Sequence, residues 1–541
     1  MTTVHNPIIP GFNPDPSIIR VNDDYYIACS TFEWYPGVAI YHSKDLINWQ
    51  LVTYPLTRLS QLDMRGNPDS CGVWAPCLSY DSGTFYLAFT DTKRFAGDVK
   101  DTPNFYVTTN DILGDWSDPI YVNSSGFDPS IFHDDDGKKY FINMLWDHRK
   151  VTGRNNWLPH KYFGGIMVQE LDVATGKLVG DAKNVFAGSA IGLSEGPHIY
   201  KRDGYYYMVV AEGGTGKDHA VTFARAKSIW GPYQVDPQGP MLSSARSPLT
   251  ELKRAGHGDL VETTSGEHFL VHLCSRPLAY RGRSVMGRET AIQPVEWSND
   301  GWPRLKGGGH APLSQFDIKN HKQSPARARQ QRVEFDGSPL PLDFQTLRYP
   351  LPEEVMSQHE RPGYLRLAGK QSLGSWFEQA LIARRQQAFC YSVETQLDFK
   401  PKNFQQMAGL VCYYNAKKHY YLHVTHDPDK GRVLDLLMCC SDWQTLYPMD
   451  DVISLPAHGE IKLKAEVEYD LLWFSWAVDG EDWHKLPFPL DYSVLSDEVG
   501  EGGGDANFTG AFVGICCQDL SGQQHPAYFK YFDYQEKTLD I

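Results

Sequence analysis

The stretch Asn13-Pro-Asp-Pro-Ser-Ile-Ile, residues 13–19, is the first of five related segments in this chain. The other four read Val73-Trp-Ala-Pro-Cys-Leu, Gly126-Phe-Asp-Pro-Ser-Ile-Phe, Ser194-Glu-Gly-Pro-His-Ile-Tyr and Gly256-His-Gly-Asp-Leu-Val. Aligned on the proline that the first four share, and on Asp259 in the fifth, the segments lie 60, 53, 68 and 62 residues apart. Each is followed by a turn and a second apolar strand, and a repeat of this length built from one small antiparallel sheet is typical of a β-propeller. The sequence therefore predicts five blades.

Three of these segments carry a carboxylate at or next to one alignment position. Asp15 and Asp128 directly precede the shared proline, and Glu195 lies two residues before it, in register with Trp74 and His257. Because the first strand of every blade lines the central axis, we expect the three carboxylates to converge there. Hydrolysis of a glycosidic bond needs one protonated carboxyl group to assist the leaving oxygen and one ionised group to activate water or attack carbon. The pattern therefore indicates an enzyme.

Composition narrows the class of partner. The chain has 541 residues, too many for one hydrophobic core, and a net charge of −15, which disfavours nucleic acid and anionic membranes but not a neutral sugar. The N-terminus lacks the basic start and long apolar stretch of a secretory signal, and no segment approaches the roughly 18 apolar residues of a membrane span. The ten cysteines include the adjacent pairs Cys439-Cys440 and Cys516-Cys517 but no Cys-x-x-Cys spacing. We therefore expect a cytoplasmic protein with reduced thiols.

The chain divides into two predicted domains of the all-β class. Residues 1–306 are predicted to form the five-bladed propeller, the polar and basic residues 307–332 a linker, and residues 333–541 a C-terminal β-sandwich. The sandwich prediction rests on a series of alternating strand-like runs, from residues 391–399 to residues 511–516. Helical periodicity is nearly absent, and residues 378–387 are the best short candidate for a helix.

The same motifs carry a family resemblance. Together with Ser30-Thr-Phe-Glu-Trp-Tyr-Pro-Gly-Val and Gly287-Arg-Glu-Thr, they resemble glycoside hydrolase family 43, and more narrowly the two-domain β-xylosidases of that family. The resemblance covers essentially the whole chain. It implies a five-bladed propeller that hydrolyses with inversion, for which the acid and base carboxyls should stand about 6.5–9.5 Å apart to leave room for water.

The resemblance also implies the role of each carboxylate. Asp15 matches the general base that deprotonates the attacking water, and Glu195 matches the general acid. Asp128 matches the residue that raises the pKa of the acid and orients it.

The substrate-binding residues follow from the same resemblance. Arg288 matches an arginine that hydrogen-bonds hydroxyls of the non-reducing sugar, and Phe32 and Trp74 match apolar walls of that subsite. Phe508 of the sandwich matches a phenylalanine that closes the mouth and makes cleavage exo. His257 matches a histidine beneath the pocket, sometimes tied to a divalent cation or an ordered water; a purely structural role is the alternative. We expect that no cofactor is required. Binding of a divalent cation such as calcium near the propeller axis is the alternative.

The predicted function is that of an inverting exo-acting β-D-xylosidase, which hydrolyses xylobiose and short xylo-oligosaccharides from the non-reducing end. An α-L-arabinofuranosidase, or a bifunctional enzyme, is the alternative within the same class. A non-catalytic glycan-binding propeller is the alternative from another class, although a binding protein has no need of a protonated acid. The expected partner is a xylo-oligosaccharide, with no nucleic acid and no membrane, and the resemblance implies a homo-oligomer, either a dimer or a tetramer.

Overall fold

The fold is built almost entirely from β-strands. A computed structural model of the chain describes residues 2–149, 162–319, 324–441, 443–500 and 507–537. In these residues, the strands form five small antiparallel sheets, one two-stranded sheet and two nine-stranded sheets, and the single-turn 3₁₀-helix Tyr492–Val494 is the only helical element. The predicted all-β architecture of a five-bladed propeller followed by a β-sandwich is thereby confirmed. No helix in the described ranges has the length and apolar character needed to cross a bilayer.

The strands of each blade pair with one another in an antiparallel sheet. The strands of blade 1 are Ser17–Val21, Asp24–Cys29, Ala39–Ser43 and Gln50–Thr53. Those of blade 2 are Gly72–Val73, Cys77–Asp81, Thr84–Thr92, Asn104–Thr109 and Ile120–Asn123. Those of blade 3 are Ser130–His133, Lys139–Trp146, Phe163–Asp172 and Lys177–Phe186. Those of blade 4 are Glu195–Arg202, Tyr205–Glu212, Ala220–Ala226, Gln234–Val235 and Leu242–Ser243. Those of blade 5 are Lys253–Glu262, His268–Ser275, Glu289–Trp297 and Pro303–Leu305.

The inner strands of the blades form a closed ring. Each contacts the inner strand of the next blade, and that of blade 5 contacts that of blade 1. At this last junction the Asp259 carboxylate of blade 5 accepts hydrogen bonds from the Ile18 N–H (2.8 Å) and the Ser17 hydroxyl (3.1 Å) of blade 1. Residues just before these strands therefore face a common axis, as the repeat predicts.

The segment 307–332, predicted as a linker, carries a strand near each end. Gln315–Ile318 pairs with Thr2–His5 beside the propeller, and Gln330–Glu334 pairs with Pro526–Glu536 of the sandwich. Alternate residues of both strands are exposed. Polar side chains therefore dominate their sequence and conceal the strand pattern.

Two nine-stranded sheets pack face to face around a continuous apolar core to form the sandwich. The first sheet contains Gln330–Glu334, Met356–Ser357, Leu365–Ala368, Cys390–Asp398, Ile461–Glu468, Leu471–Val478, His484–Lys485, Leu490–Asp491 and Pro526–Glu536. The second contains Trp34–Tyr35, Phe344–Leu347, Ala380–Arg385, Gln406–Asn415, Lys418–Asp427, Gly431–Cys440, Thr445–Leu446, Ile453–Ser454 and Phe512–Asp519.

The helix candidate at residues 378–387 is wrong. The strand Ala380–Arg385 lies there, between Phe344–Leu347 and Phe512–Asp519. All six of its residues are buried. A segment enclosed on both faces has no polar stripe to reveal its period, so its strong helix formers were misleading.

The two domains share a strand pair and part of their core. Trp34–Tyr35 leaves the propeller between the second and third strands of blade 1 and pairs with residues 346 and 347 at the edge of the second sandwich sheet. The Trp34 ring stacks on Phe512, with ring centroids 3.6 Å apart. Because Phe512 is held at this junction, the residues just before it, which include Phe508, lie over the propeller.

Candidate active site

The three predicted carboxylates line one cavity of about 430 Å³ at the propeller axis. Asp15 and Asp128 lie two residues before the inner strands of blades 1 and 3, and Glu195 is the first residue of the inner strand of blade 4. The backbone φ angles of Asp15 and Asp128 are 55° and 54°. Non-glycine residues adopt this left-handed conformation rarely, and it clusters at functional sites. The repeat thus places equivalent turns, and with them the carboxylates, around one space.

Asp15 is surrounded by groups that stabilise its ionised form. The Ser30 hydroxyl donates to Asp15 Oδ2 (2.6 Å), and Arg288 Nη1 donates to Asp15 Oδ1 (3.0 Å). His257 Nδ1 lies 3.7 Å from the same Oδ1. Burial by itself opposes ionisation, but Arg288, His257 and the Ser30 hydrogen bond outweigh it and hold the pKa of Asp15 below its ordinary value of 3.8. Asp15 is therefore an anion at neutral pH.

Glu195 has the opposite character. Its carboxyl group reaches the cavity but is otherwise enclosed by protein; this burial, followed by the negative charge of Asp15, raises its pKa to about 8. Burial and the charges of Glu195 and Asp15 also raise the pKa of Asp128 well above its ordinary value. The Gly196 N–H, next to Glu195 in the chain, donates to Asp128 Oδ2 (3.1 Å). The Asp128–Glu195 pair therefore retains at least one proton at neutral pH.

Aromatic rings enclose the cavity beside the carboxylates. The Trp74 ring centroid lies 6.2 Å from that of Phe32 and 5.1 Å from that of Phe127. Phe508 reaches in from the sandwich, with its ring centroid 6.0 Å from Trp74 and 6.1 Å from Phe32. Rings of this kind offer apolar faces to the C–H side of a sugar. The structure thus brings Phe32, Trp74 and Phe508 together as walls of one cavity.

Arg288 connects the propeller to the sandwich inside the cavity. It is 3% exposed and lies between the rings of Phe32 and Phe508, with its guanidinium carbon 5.3 and 5.5 Å from their centroids. One terminal nitrogen donates to Asp15, and the other donates to the Phe508 carbonyl (3.0 Å). The side chain therefore touches residues of both domains at the cavity wall.

Comparison with known proteins agrees with this geometry. Residues 4–303 match the family described as glycosyl hydrolases family 43, and residues 332–535 match the β-xylosidase C-terminal concanavalin A-like domain. The chain belongs to glycoside hydrolase family 43. It is 50% identical over 538 residues to a protein named xylosidase/arabinosidase 43B from Humicola insolens, covering 99% of this chain and 98% of that protein. It is 47% identical over 544 residues to a β-xylosidase of Bacillus subtilis (strain 168), covering 99% and 100%.

A solved structure is similar over the same length. The crystal structure of a xylan β-1,4-xylosidase from Bacillus halodurans C-125 matches with a TM-score of 0.93 and 48% sequence identity, covering 98% of this chain and 100% of that one. Both domains of this family 43 protein are therefore shared with that enzyme.

The cavity of this family 43 hydrolase is also lined by residues that the sequence interpretation did not single out, among them Phe95, Lys100, Trp146 and His219. The Lys100 ammonium group lies 3.8 and 4.4 Å from the ring centroids of Phe95 and Trp146 and donates to the Phe95 carbonyl (2.7 Å). Its burial lowers its pKa to about 8, although the Glu195 carboxylate opposes this shift. Phe95 and Lys100 lie on a loop of blade 2, outside the repeat, so no register signal identifies them.

His219 lines the cavity with a neutral ring. Its Nδ1 lies 3.1 Å from the Glu212 carbonyl, so Nδ1 carries the proton and Nε2 has the free lone pair. Burial, then the nearby His257 and Arg288, lower its pKa to about 3, so the ring is neutral. Nε2 is buried and has no protein partner among the described residues. The His219 ring packs directly against Gly256 of the fifth repeat segment, where a Cβ atom would lie 2.0 Å from the ring. Gly256 is therefore the feature of the sequence that could have indicated a ring at this position.

His257, the candidate metal ligand, packs within the protein. A Cβ on Gly196 would lie 2.6 Å from its Cε1 atom, and burial lowers its pKa to about 4. Within the described ranges, no group of three or more His, Cys, Asp or Glu side chains is arranged to hold a metal ion.

Proposed function

We propose that the protein is an inverting, exo-acting β-D-xylosidase that hydrolyses xylobiose and short xylo-oligosaccharides from the non-reducing end. One observation carries the proposal: Asp15, which accepts hydrogen bonds from Arg288 and Ser30, and the enclosed Glu195 line the same cavity, and these surroundings lower the pKa of Asp15 and raise the pKa of Glu195. Acid–base hydrolysis of a glycoside needs this combination of protonation states at one pH.

In the proposed reaction, Asp15 accepts a proton from a water molecule as that water attacks the anomeric carbon. Glu195 donates its proton to the glycosidic oxygen, so that the leaving sugar departs as a neutral alcohol. Asp128 hydrogen-bonds the backbone beside Glu195 and, through mutual repulsion, favours keeping a proton on the pair. Single displacement by water inverts the anomeric configuration.

The shape and chemistry of the cavity support a short neutral substrate. The Phe508 ring lies 5.3 Å from Phe95, so residues of the sandwich and of a propeller loop narrow the same space. The guanidinium group of Arg288 supplies hydrogen-bond donors for sugar hydroxyls, and the neutral ring of His219 lines the same cavity. We expect a cavity narrowed in this way to admit the end of a chain and not its middle.

The relatives support the same substrate class. The Bacillus subtilis relative is named a β-xylosidase, and the Bacillus halodurans structure is titled a xylan β-1,4-xylosidase. The Humicola insolens relative is named for both xylosidase and arabinosidase activity. α-L-Arabinofuranosidase is therefore the second candidate, either alone or beside the first activity.

The test uses xylotriose labelled at its reducing end, with aryl β-D-xyloside and aryl α-L-arabinofuranoside in parallel. Exo attack from the non-reducing end yields unlabelled xylose and labelled xylobiose first. Labelled xylose as the first product would contradict the proposed direction of attack. Turnover of the arabinofuranoside alone would favour the second candidate, and no turnover of any substrate would leave a glycan-binding role.

We also infer that the protein works in a reducing compartment such as the cytoplasm. Eight of the ten cysteines, among them Cys29, Cys412 and Cys516, are buried free thiols. Proteins of oxidising compartments commonly use cysteines in disulfides. Mass spectrometry of the alkylated native protein, which counts free thiols, and fractionation of the source cells test this inference.

A further inference from the structure

Ser70 lies at the seam between the two domains. It is fully buried, and its φ angle of 61° is in the left-handed region. Its carbonyl accepts a hydrogen bond from Trp74 Nε1 (2.9 Å), and its hydroxyl oxygen accepts one from the Phe508 N–H (3.0 Å). Its own N–H donates to Glu33 Oε2 (3.1 Å). One serine therefore holds two walls of the cavity that come from different domains.

A series of hydrogen bonds leads from Ser70 through Phe508 to Asp15, the proposed general base. Beyond the Phe508 N–H, the Phe508 carbonyl accepts from Arg288 Nη2 (3.0 Å), and Arg288 Nη1 donates to Asp15 (3.0 Å). The backbone of Phe508, rather than its ring, is thus the link between the Ser70 hydroxyl and the charge beside Asp15. The guanidinium group has only this carbonyl and the Asp15 carboxylate as hydrogen-bond partners among the described residues.

Ser70 is itself held by a buried ionic cluster. Glu33 lies next to the shared strand Trp34–Tyr35, and its carbonyl accepts from the Arg348 N–H of the sandwich (2.8 Å). The Arg348 guanidinium group pairs with Asp69 (2.8 Å), which precedes Ser70 in the chain. Removing one member of a buried ion pair is costly because the other charge stays uncompensated. The cluster therefore fixes the backbone on both sides of the domain seam.

We propose that Ser70 is a positioning residue for hydrolysis: its hydroxyl fixes the Phe508 backbone, and through the Phe508 carbonyl it sets how closely Arg288 approaches Asp15. This inference rests on the proposed function, because it assigns a consequence to the base that the reaction uses. It also gives the sandwich domain a role at the base that is separate from closing the mouth with the Phe508 ring.

The consequence is a change in the titration of Asp15. The charged and titratable groups around Asp15 are Arg288, His257, His219, Asp128, Glu195 and the Cys29 thiol. Arg288 is the largest favourable influence on the Asp15 anion. If Arg288 moves away from Asp15, the ionised carboxylate loses stabilisation, and the pKa of Asp15 rises. The acidic limb of kcat/KM then moves to higher pH.

The experiment compares pH profiles of kcat/KM on an aryl β-D-xyloside for the wild type, Ser70→Ala and Ser493→Ala. Ser493 is a matched control because it is also fully buried at the domain seam, where its hydroxyl accepts from Arg283 Nη1 (2.8 Å), and it does not line the cavity. We expect Ser70→Ala to move the acidic limb up by about half a pH unit or more, with a higher KM. Ser493→Ala should lower Tm comparably and leave the limb in place.

A second variant keeps the proposal testable if Ser70→Ala does not fold. Phe508→Ala removes the ring but keeps the backbone carbonyl, so it should raise KM without moving the acidic limb. A limb that moves in Phe508→Ala, or one that stays in a folded Ser70→Ala protein, would overturn the role of Ser70. If the wild type fails to hydrolyse the aryl xyloside, the proposed function fails first, and this inference fails with it.

Discussion

The two sides of the cavity carry carboxyl groups on equivalent backbone turns, but the pKa values of these groups shift in opposite directions. On the blade 1 side, Asp15 faces Arg288, His257 and Ser30, and its pKa lies below the ordinary value. On the side of blades 3 and 4, Asp128 and Glu195 face each other and the Asp15 anion, and their pKa values lie above it. Asp15 and Asp128 have nearly the same backbone φ angle. The repeat therefore determines where a carboxylate lies, and its non-repeated neighbours determine whether it is charged.

The largest expected effect comes from removing the anion on the blade 1 side. Asp15→Asn keeps the shape but cannot accept a proton, so kcat should fall by about 10³–10⁴-fold on both xylobiose and an aryl xyloside. Initial rates on the two substrates measure this loss. The control is Asp135→Asn, whose side chain is 81% exposed on a turn of blade 3 and should leave both rates unchanged. Retention of activity in Asp15→Asn would remove Asp15 as the base.

The next effect depends on the leaving group. Glu195→Ala removes the proton donor, so hydrolysis of xylobiose should fall by about 10²–10⁴-fold. An aryl xyloside, whose phenolate leaves without much protonation, should lose far less. The ratio of the two losses is the measured quantity. Equal losses on both substrates would argue that Glu195 does not act as the acid.

The contrast between the two sides should also appear in the pH profile of the wild type. Activity needs ionised Asp15, whose pKa lies below 3.8, and protonated Glu195, whose pKa is raised to about 8. kcat/KM should therefore fall as pH drops through the first value and fall as pH rises through the second. A basic limb near 4.5, the ordinary value for a glutamate, would contradict a raised pKa for the acid.

The smallest effect concerns Lys100, the positively charged side chain near Glu195. Lys100 lowers the pKa of Glu195, so Lys100→Met should raise that pKa and move the basic limb of kcat/KM to higher pH. We expect a change of less than about tenfold in kcat/KM at neutral pH. Lys93→Met is the matched control, because Lys93 pairs with Asp91 and does not line the cavity, and it should leave the limb in place. A downward move of the limb in Lys100→Met would reverse the assigned sign.

Sequence alone predicts the parts of this molecule that repeat. The first-strand motif recurs in every blade, so the propeller and the convergence of Asp15, Asp128 and Glu195 follow from register. Lys100 and His219 lie outside that motif, and their place in the cavity depends on how loops and later strands fold back. The one feature of the sequence that reflects the position of His219 is Gly256, which has no side chain and so leaves room for the ring.

Two further features depend on tertiary context. The strand Ala380–Arg385 consists of good helix formers, and only its position between two other strands of the sandwich decides its conformation. The polar strand Gln315–Ile318 reads as linker because half of it faces solvent. The protonation of each carboxylate likewise follows from partners that are distant in sequence, such as Arg288 for Asp15.

The most direct test of the central claim is a proton NMR time course of the purified protein with xylobiose, following the anomeric signals of the released xylose. An ionised base on one side and a protonated acid on the other predict that α-xylose appears first and then mutarotates towards equilibrium. If β-xylose appears first, Asp15 acts as a nucleophile and not as a base, and the proposed division of roles between the two sides is wrong.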